Sequence, residues 1–253
     1  MGGSASLMSG ALRSSGCLFL VFQPMARLPR LDLAGHLHLV TQRARAGNLA
    51  FVDHDDRRRY LGAMLESARE SAVAVHAYAL MDTEVLLLAT PAETASLARF
   101  MQGLGRRYVK AFNHRHDRSG ALWEGRYRTT VVDPADLLPC IRLVEQAPMR
   151  AGLAARTTDW PWSSAAHHAG RKADPLIIEH ATYWQLGNTP FEREARFARE
   201  GAMLLTDQDA ERLLQAARYG WPIGSDAFLQ VLRRTTDRPV QRRRRGRPKQ
   251  TAI

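Results

Sequence analysis

Between positions 105 and 128 the chain interleaves cations with aromatic residues. Arg106, Arg107 and Lys110 surround Tyr108, His114 and Arg115 follow Phe112, and Trp123 precedes Arg126, Tyr127 and Arg128. These side chains can supply positive charge for phosphates and flat rings for unpaired bases, the two requirements of single-stranded nucleic acid. They suit equally a basic helix face with Trp123 filling a core, and composition alone leaves both readings open. The run from Asn113 to Arg118, with His114 and His116, reads either as a solvated basic loop or as contacts to phosphate and base. His36 and His38 stand at i and i+2, so on a strand they share a face. That spacing can ligate a metal, but no third donor is identifiable, and a hydrogen-bonded pair of strand histidines is the alternative. His76, between Val75 and Ala77, reads as a core histidine. Tyr108 falls on an apolar stripe and Tyr127 follows Arg126, so neither is surrounded by the ligands a nucleophilic phenol needs. Cys17 and Cys140, far apart, form neither a disulfide framework nor a zinc site.

The elements that position these residues are legible from periodicity. Residues 36–43 alternate and are rich in β-formers, predicting a strand. Asp53 or Asp55 can cap a helix whose apolar face carries Tyr60, Leu61, Met64, Leu65 and Ala68. Residues 73–81 and 85–89 are apolar runs separated by Asp82-Thr83, the pattern of a hairpin of two buried strands. A second helix over 93–114 carries Leu97, Phe100, Met101, Leu104, Tyr108 and Phe112 on one stripe, and 127–132 form a further strand. A third helix starts at Asp133-Pro134 and ends near Ala147-Pro148. The order β-α-β-β-α-β predicts an α+β, ferredoxin-like domain, an antiparallel sheet with helices on one face. Beyond residue 170 the pattern changes to helices around 191–204, 206–218 and 225–233, predicting a small helical C-terminal module over 171–234. Residues 1–24 are expected to be a disordered extension or to precede the true start. Their apolar run, 17–22, is too short to span a bilayer, and no small-residue cleavage site follows it before Met25.

The chain has 253 residues, 45% hydrophobic and 24% charged, long enough for a sizeable α/β domain plus a smaller unit. Its net charge is +11, which points to a polyanionic partner. Most of that excess is concentrated: residues 233–249 hold nine Arg or Lys against Asp237. Residues 235–253 are too polar to fold and are expected to form a basic disordered tail. Within it, Arg242, Arg243, Arg244, Arg245, Arg247 and Lys249 flank Gly246 and Pro248, a Gly-Arg-Pro centre similar to an AT-hook. Such a segment lays Arg along an A·T-rich minor groove; a generic electrostatic arm is the other reading.

Five segments together, residues 25–31, 40–44, 73–81, 104–128 and 148–164, resemble the REP-associated tyrosine transposases, a single-tyrosine HUH family that cuts single-stranded DNA. The resemblance covers about residues 25–170. It implies a phenol that attacks a phosphodiester and a divalent metal, Mg or Mn, that polarises the phosphate. Two imidazoles at i and i+2 of one strand hold the metal, with a third ligand one turn beyond the tyrosine on its helix. Carried over residue by residue, the imidazole positions fall on Glu84 and Leu86, the nucleophile on Leu143 and the third ligand on Ala147, while Pro148, Arg150, Ala151 and Gly152 remain. Leu86 and Ala147 have no donor atom, Leu143 has no oxygen, and one carboxylate does not make a metal site.

The expectation is therefore a DNA-binding, transposase-like protein without catalytic residues, metal or other cofactor. Its partner is hairpin or single-stranded DNA, with the tail on the A·T-rich minor groove; it has no membrane partner, and it is cytoplasmic and nucleoid-associated. The residues expected to contact DNA are Arg43, Arg106, Arg107, Lys110, His114, Arg115, Trp123, Arg126, Arg128 and Arg150, together with Arg242 to Arg245 and Arg247. Leu86 and Leu143 are expected to meet in a core across the sheet–helix interface. Two rivals stand beside this reading, an active nuclease with a rearranged site and an RNA-binding or protein-interaction relic.

Overall fold

The computed structural model describes residues 29–201 and 203–241. The expected extension at 1–24 and the tail arginines from Arg242 onward lie outside the described residues. Four strands, Leu37–Arg43 (β1), Val73–Leu80 (β2), Glu84–Pro91 (β3) and Arg128–Val132 (β4), form one antiparallel sheet in the order β2-β3-β1-β4. Helices His54–Glu70 (α1) and Ser96–Arg115 (α2) connect β1 to β2 and β3 to β4, which completes the β-α-β-β-α-β order. The β2–β3 turn is tight, with Met81 and Glu84 exchanging backbone hydrogen bonds of 2.9 and 3.3 Å. Of the two candidate caps for α1, Asp53 is used: its carboxylate accepts from the Asp56 amide. α2 begins three residues later than periodicity suggests, because Ala95 adopts a left-handed backbone (φ 64°) that no helix continues through.

Alternation along β3 divides the apolar residues between two faces. Val85, Leu87 and Ala89 meet α1 and α2 through Tyr60, Met64, Phe100, Leu104 and Tyr108. Leu86 and Leu88 point the other way. The helix covering them is Leu137–Arg150 (α3), which follows a short 3-10 turn at Pro134–Asp136. α3 continues two residues past its expected stop at Pro148. Proline removes one amide but has a helical φ, and Ala151 still donates to the Ala147 carbonyl (2.9 Å).

The C-terminal part contains two four-residue helices, Ala165–His168 (α4) and Ala181–Trp184 (α5), and three longer ones, Pro190–Gly201 (α6), Asp207–Tyr219 (α7) and Asp226–Thr235 (α8). The longer three lie where periodicity places them, and Thr206 and Ser225 cap α7 and α8. Phe197, Leu205, Leu213 and Ala217 from this part are buried in the same cluster as α3 and Leu86, so both sheet faces are covered. α8 closes a smaller cluster with Leu31, Val131 and Val240. Among the described residues no helix is long and apolar enough to cross a membrane.

Candidate nucleic-acid interface

The four positions marked by the family resemblance converge on one face of the sheet. Pleating places Glu84, Leu86 and Leu88 on the α3 side, and Leu86 and Leu143 belong to one buried cluster, at 2% and 1% exposure. Ala147 is partly buried against the same cluster. Glu84 is half-buried at the strand end, 3.6 Å from Arg43, its register partner on β1. Burial raises its carboxyl pKa, Arg43 counters, and Glu124 adds to the rise. These residues do not fit a divalent cation: two of the three ligand positions carry hydrocarbon, and the one carboxylate already has a guanidinium. Two residues beyond Leu143, the buried Glu145 carboxylate accepts from Ser164 Oγ and His168 Nδ1, both at 2.6 Å. That network is closed on itself, and among the described residues no cluster of His, Cys, Asp or Glu is arranged to hold a metal ion.

The expected cationic residues separate into three groups, with Arg150 apart from them. Arg107 and Arg115 lie along the α1–α2 contact. Arg107 reaches Glu70 (2.5 Å) and Glu66 (3.5 Å), and Arg115 reaches Asp53 (2.5 Å) and Asp56 (2.6 Å). Those bonds lower the Asp53 carboxyl well below its usual range. His116 joins them, with Nε2 2.9 Å from Asp56. Arg106, Lys110 and His114, spaced by four residues, form an exposed stripe on the outer side of α2. Trp123 is 9% exposed and its ring lies against Tyr60 and Tyr108, each at 6.3 Å, so it packs the core as its second reading had it. Arg150 bonds Asp207 (2.5 Å) and the Leu205 carbonyl, which ties α3 to the start of α7.

Arg43, Arg126 and Arg128 form the third group and line a cleft of about 510 Å³. Strand register explains why they meet: Thr41 pairs with Leu86 on one side and Arg128 on the other, and Arg43 pairs with Glu84. Directly paired residues share a face, so Arg43 and Arg128 stand beside the Glu84–Leu86 position. The cleft also draws in Arg30, Arg218 and Arg238, while Glu124 is the carboxylate that lines it among the described residues. Tyr127, Tyr219 and Trp221 supply its aromatic surface. Arg30 lies over the Tyr127 ring (3.9 Å) and donates from Nη2 to the Tyr127 carbonyl (3.0 Å). Arg238 donates to the Gly220 carbonyl (2.5 Å) and lies 5.9 Å from the Trp221 ring. Burial lowers the pKa of both guanidiniums.

Arg30, Arg218, Tyr219, Trp221 and Arg238 were not among the residues expected to contact DNA. They lie at opposite ends of the sequence, without a shared spacing that would have grouped them. A sequence signal existed only at Tyr219-Gly220-Trp221, two aromatics around a helix-ending glycine.

The strand histidines are structural. His38 is buried, donating from Nδ1 to the His36 carbonyl (2.7 Å) and accepting at Nε2 from the Leu33 amide (3.3 Å). His76 sits at a register shift of β2, bonded to the Ile178 carbonyl (2.5 Å) and to Thr90 Oγ1 (2.9 Å). Burial pulls the pKa of each down to about 4.

Among solved structures, the chain is similar to a REP-associated tyrosine transposase bound to a REP hairpin, with 16% identity and a TM-score of 0.49 over 62% of this chain and 93% of that one. It is also similar to a candidate transposase from Deinococcus radiodurans R1, with 17% identity and a TM-score of 0.31 over 50% and 89%. No family model and no curated protein matches the sequence.

Proposed function

We propose that this protein binds hairpin or single-stranded DNA without cutting it, as a transposase-like scaffold that has lost its chemistry. The observation carrying this reading is the burial of Leu86 and Leu143 in one apolar cluster, on the sheet face that also presents Arg43 and Arg128. Phosphodiester cleavage by a phenol needs a nucleophilic oxygen and a means of neutralising charge on the phosphate; three of the four positions that resemble that machinery hold hydrocarbon and the fourth, Glu84, faces Arg43. The phosphate-binding part of the task requires only cations, and the cleft supplies six arginines. The sequence of residues 242–253 suits an arm that adds affinity without reading structure, and a DNA partner implies a cytoplasmic, nucleoid-associated location.

The test is incubation of the full chain with labelled hairpin, single-stranded and duplex DNA and an RNA hairpin, with magnesium or manganese present. The expected result is shifted complexes on DNA hairpins and no protein–DNA band that survives denaturation. A covalent adduct overturns the loss of chemistry, and tighter binding of RNA overturns the choice of DNA. Deleting residues 242–253, which leaves Arg238 and Val240 in place, should lower the slope of log affinity against log salt by several units on duplex and leave hairpin preference in place.

A further inference from the structure

The cleft behind β4 holds more than phosphate binding requires. Cations alone would neutralise a backbone, yet Tyr219 leaves a large ring 56% exposed beside them, and Trp221 is partly open next to it. Gly220 explains how both rings reach the same place: its left-handed φ of 71° turns the chain out of α7. Arg238 holds that turn by its bond to the Gly220 carbonyl.

Tyr127 Oη, Thr129 Oγ1 and Arg238 Nε and Nη1, on residues that line the cleft, are covered and have no hydrogen-bond partner among the described residues. At about 510 Å³ the cleft falls in the size range of small-ligand pockets, roughly 300–1,000 Å³. Paired bases are already stacked on their neighbours and gain nothing from an exposed ring. An unpaired base does gain, whatever its sequence, because every base has a π-face.

We propose that this cleft takes an unpaired nucleotide of single-stranded DNA, its base on the Tyr219 ring beside Trp221 and its phosphates on Arg43, Arg126 and Arg128. The proposal rests on the DNA-binding reading above and assigns to that function a subsite that separates unpaired from paired DNA. Sheet and C-terminal residues build it jointly: β1, β4 and the segment before β4 bring cations, and the end of α7 with the α7–α8 connection brings the rings.

The test uses the full chain and fluorescence anisotropy at one ionic strength. Three probes are compared: a blunt duplex, the same duplex with an oligothymidine overhang, and that overhang made abasic. The wild-type protein should prefer the overhang by tenfold or more, and the abasic form should lose that preference. Tyr219→Ala should weaken overhang binding by about 5- to 150-fold, the range of one base stacked on an aromatic ring, and leave the blunt duplex unchanged. Tyr219→Phe should retain the preference, and an unchanged melting temperature certifies the fold. Equal affinity for blunt and overhang probes overturns this subsite and leaves DNA binding standing. Equal loss on both probes in Tyr219→Ala, or an oligouridine overhang bound more tightly than oligothymidine, also overturns it. Failure of the wild-type chain to bind any of the three probes overturns this subsite, and failure on hairpin and single-stranded DNA as well overturns the DNA-binding reading with it.

Discussion

Leu86 and Arg128 are both register partners of Thr41 on the same face of the sheet, and they stand in opposite environments. Leu86 lies under α3, where water is excluded and a donor atom without a partner costs about 1–3 kcal/mol. Arg128 lies on the edge strand, exposed, with Nη1 donating to the Arg218 carbonyl (3.2 Å) and the rest of its guanidinium open to water. The centre of this face tolerates only hydrocarbon or a closed polar network, such as Glu145 with Ser164 and His168. Its margin can collect charge at little cost. One sheet face can thus hold hydrocarbon at its centre and charge at its margin, because the two regions obey different solvation rules.

That contrast is most easily broken at the centre. Leu143→Ala and Leu86→Ala should each destabilise the fold by about 2–5 kcal/mol, the usual cost of truncating a buried leucine. Urea denaturation reads the loss, and DNA affinity of the folded fraction should not change. Introducing polar atoms is the sharper version. Leu86→His with Leu143→Tyr should lower the thermal midpoint and yield no covalent adduct, and a midpoint that stays or rises shows the space to be open to solvent.

Acid should act through the sheet's buried histidines and spare the margin. His38 and His76 titrate near 4 in the folded protein against an ordinary value of 6.5, so the unfolded chain binds the extra protons between those values. Stability should therefore fall as pH drops from about 6.5 to 4, by up to about 1.4 kcal/mol per pH unit for each histidine. His76→Gln should flatten part of that slope in pH-dependent denaturation.

At the margin, Arg43→Ala with Arg128→Ala should leave the thermal midpoint nearly unchanged and lower the salt slope of DNA binding by about one unit per lost phosphate contact. The smallest effect is expected from Arg107→Ala. Its carboxylate partners on α1 are largely exposed, a type of pair worth about 0–1 kcal/mol, and because those carboxylates already occupy the guanidinium, DNA affinity should hardly move. A large loss of affinity there would return the α2 face to the interface.

The strands and long helices were legible because each buries a face with its own period, and Asp53, one of two candidate caps, announced the start of α1 by side-chain chemistry. The hydrocarbon at Leu86 and Leu143 was legible too, since a residue's lack of a donor atom does not depend on its neighbours. The partition of the cations was not. Arg107, Arg115 and Arg128 look alike in a list, and only packing reveals that two of them face the acidic edge of α1 while the third faces a cleft.

By itself, then, the sequence determined the order of elements, the β-α-β-β-α-β topology, the apolar faces and the absence of donors at three of the four positions marked by the family resemblance. These are local or periodic properties, set by side-chain type and by pleat or helix repeat. Tertiary structure alone decided that Trp123 is core, that Arg150 ties α3 to α7, and that Arg30, Arg43, Arg128, Tyr219, Trp221 and Arg238 line one cleft. Those residues come from distant parts of the chain, and it is strand register, the left-handed turn at Gly220 and the docking of α7 on β4 that bring them together.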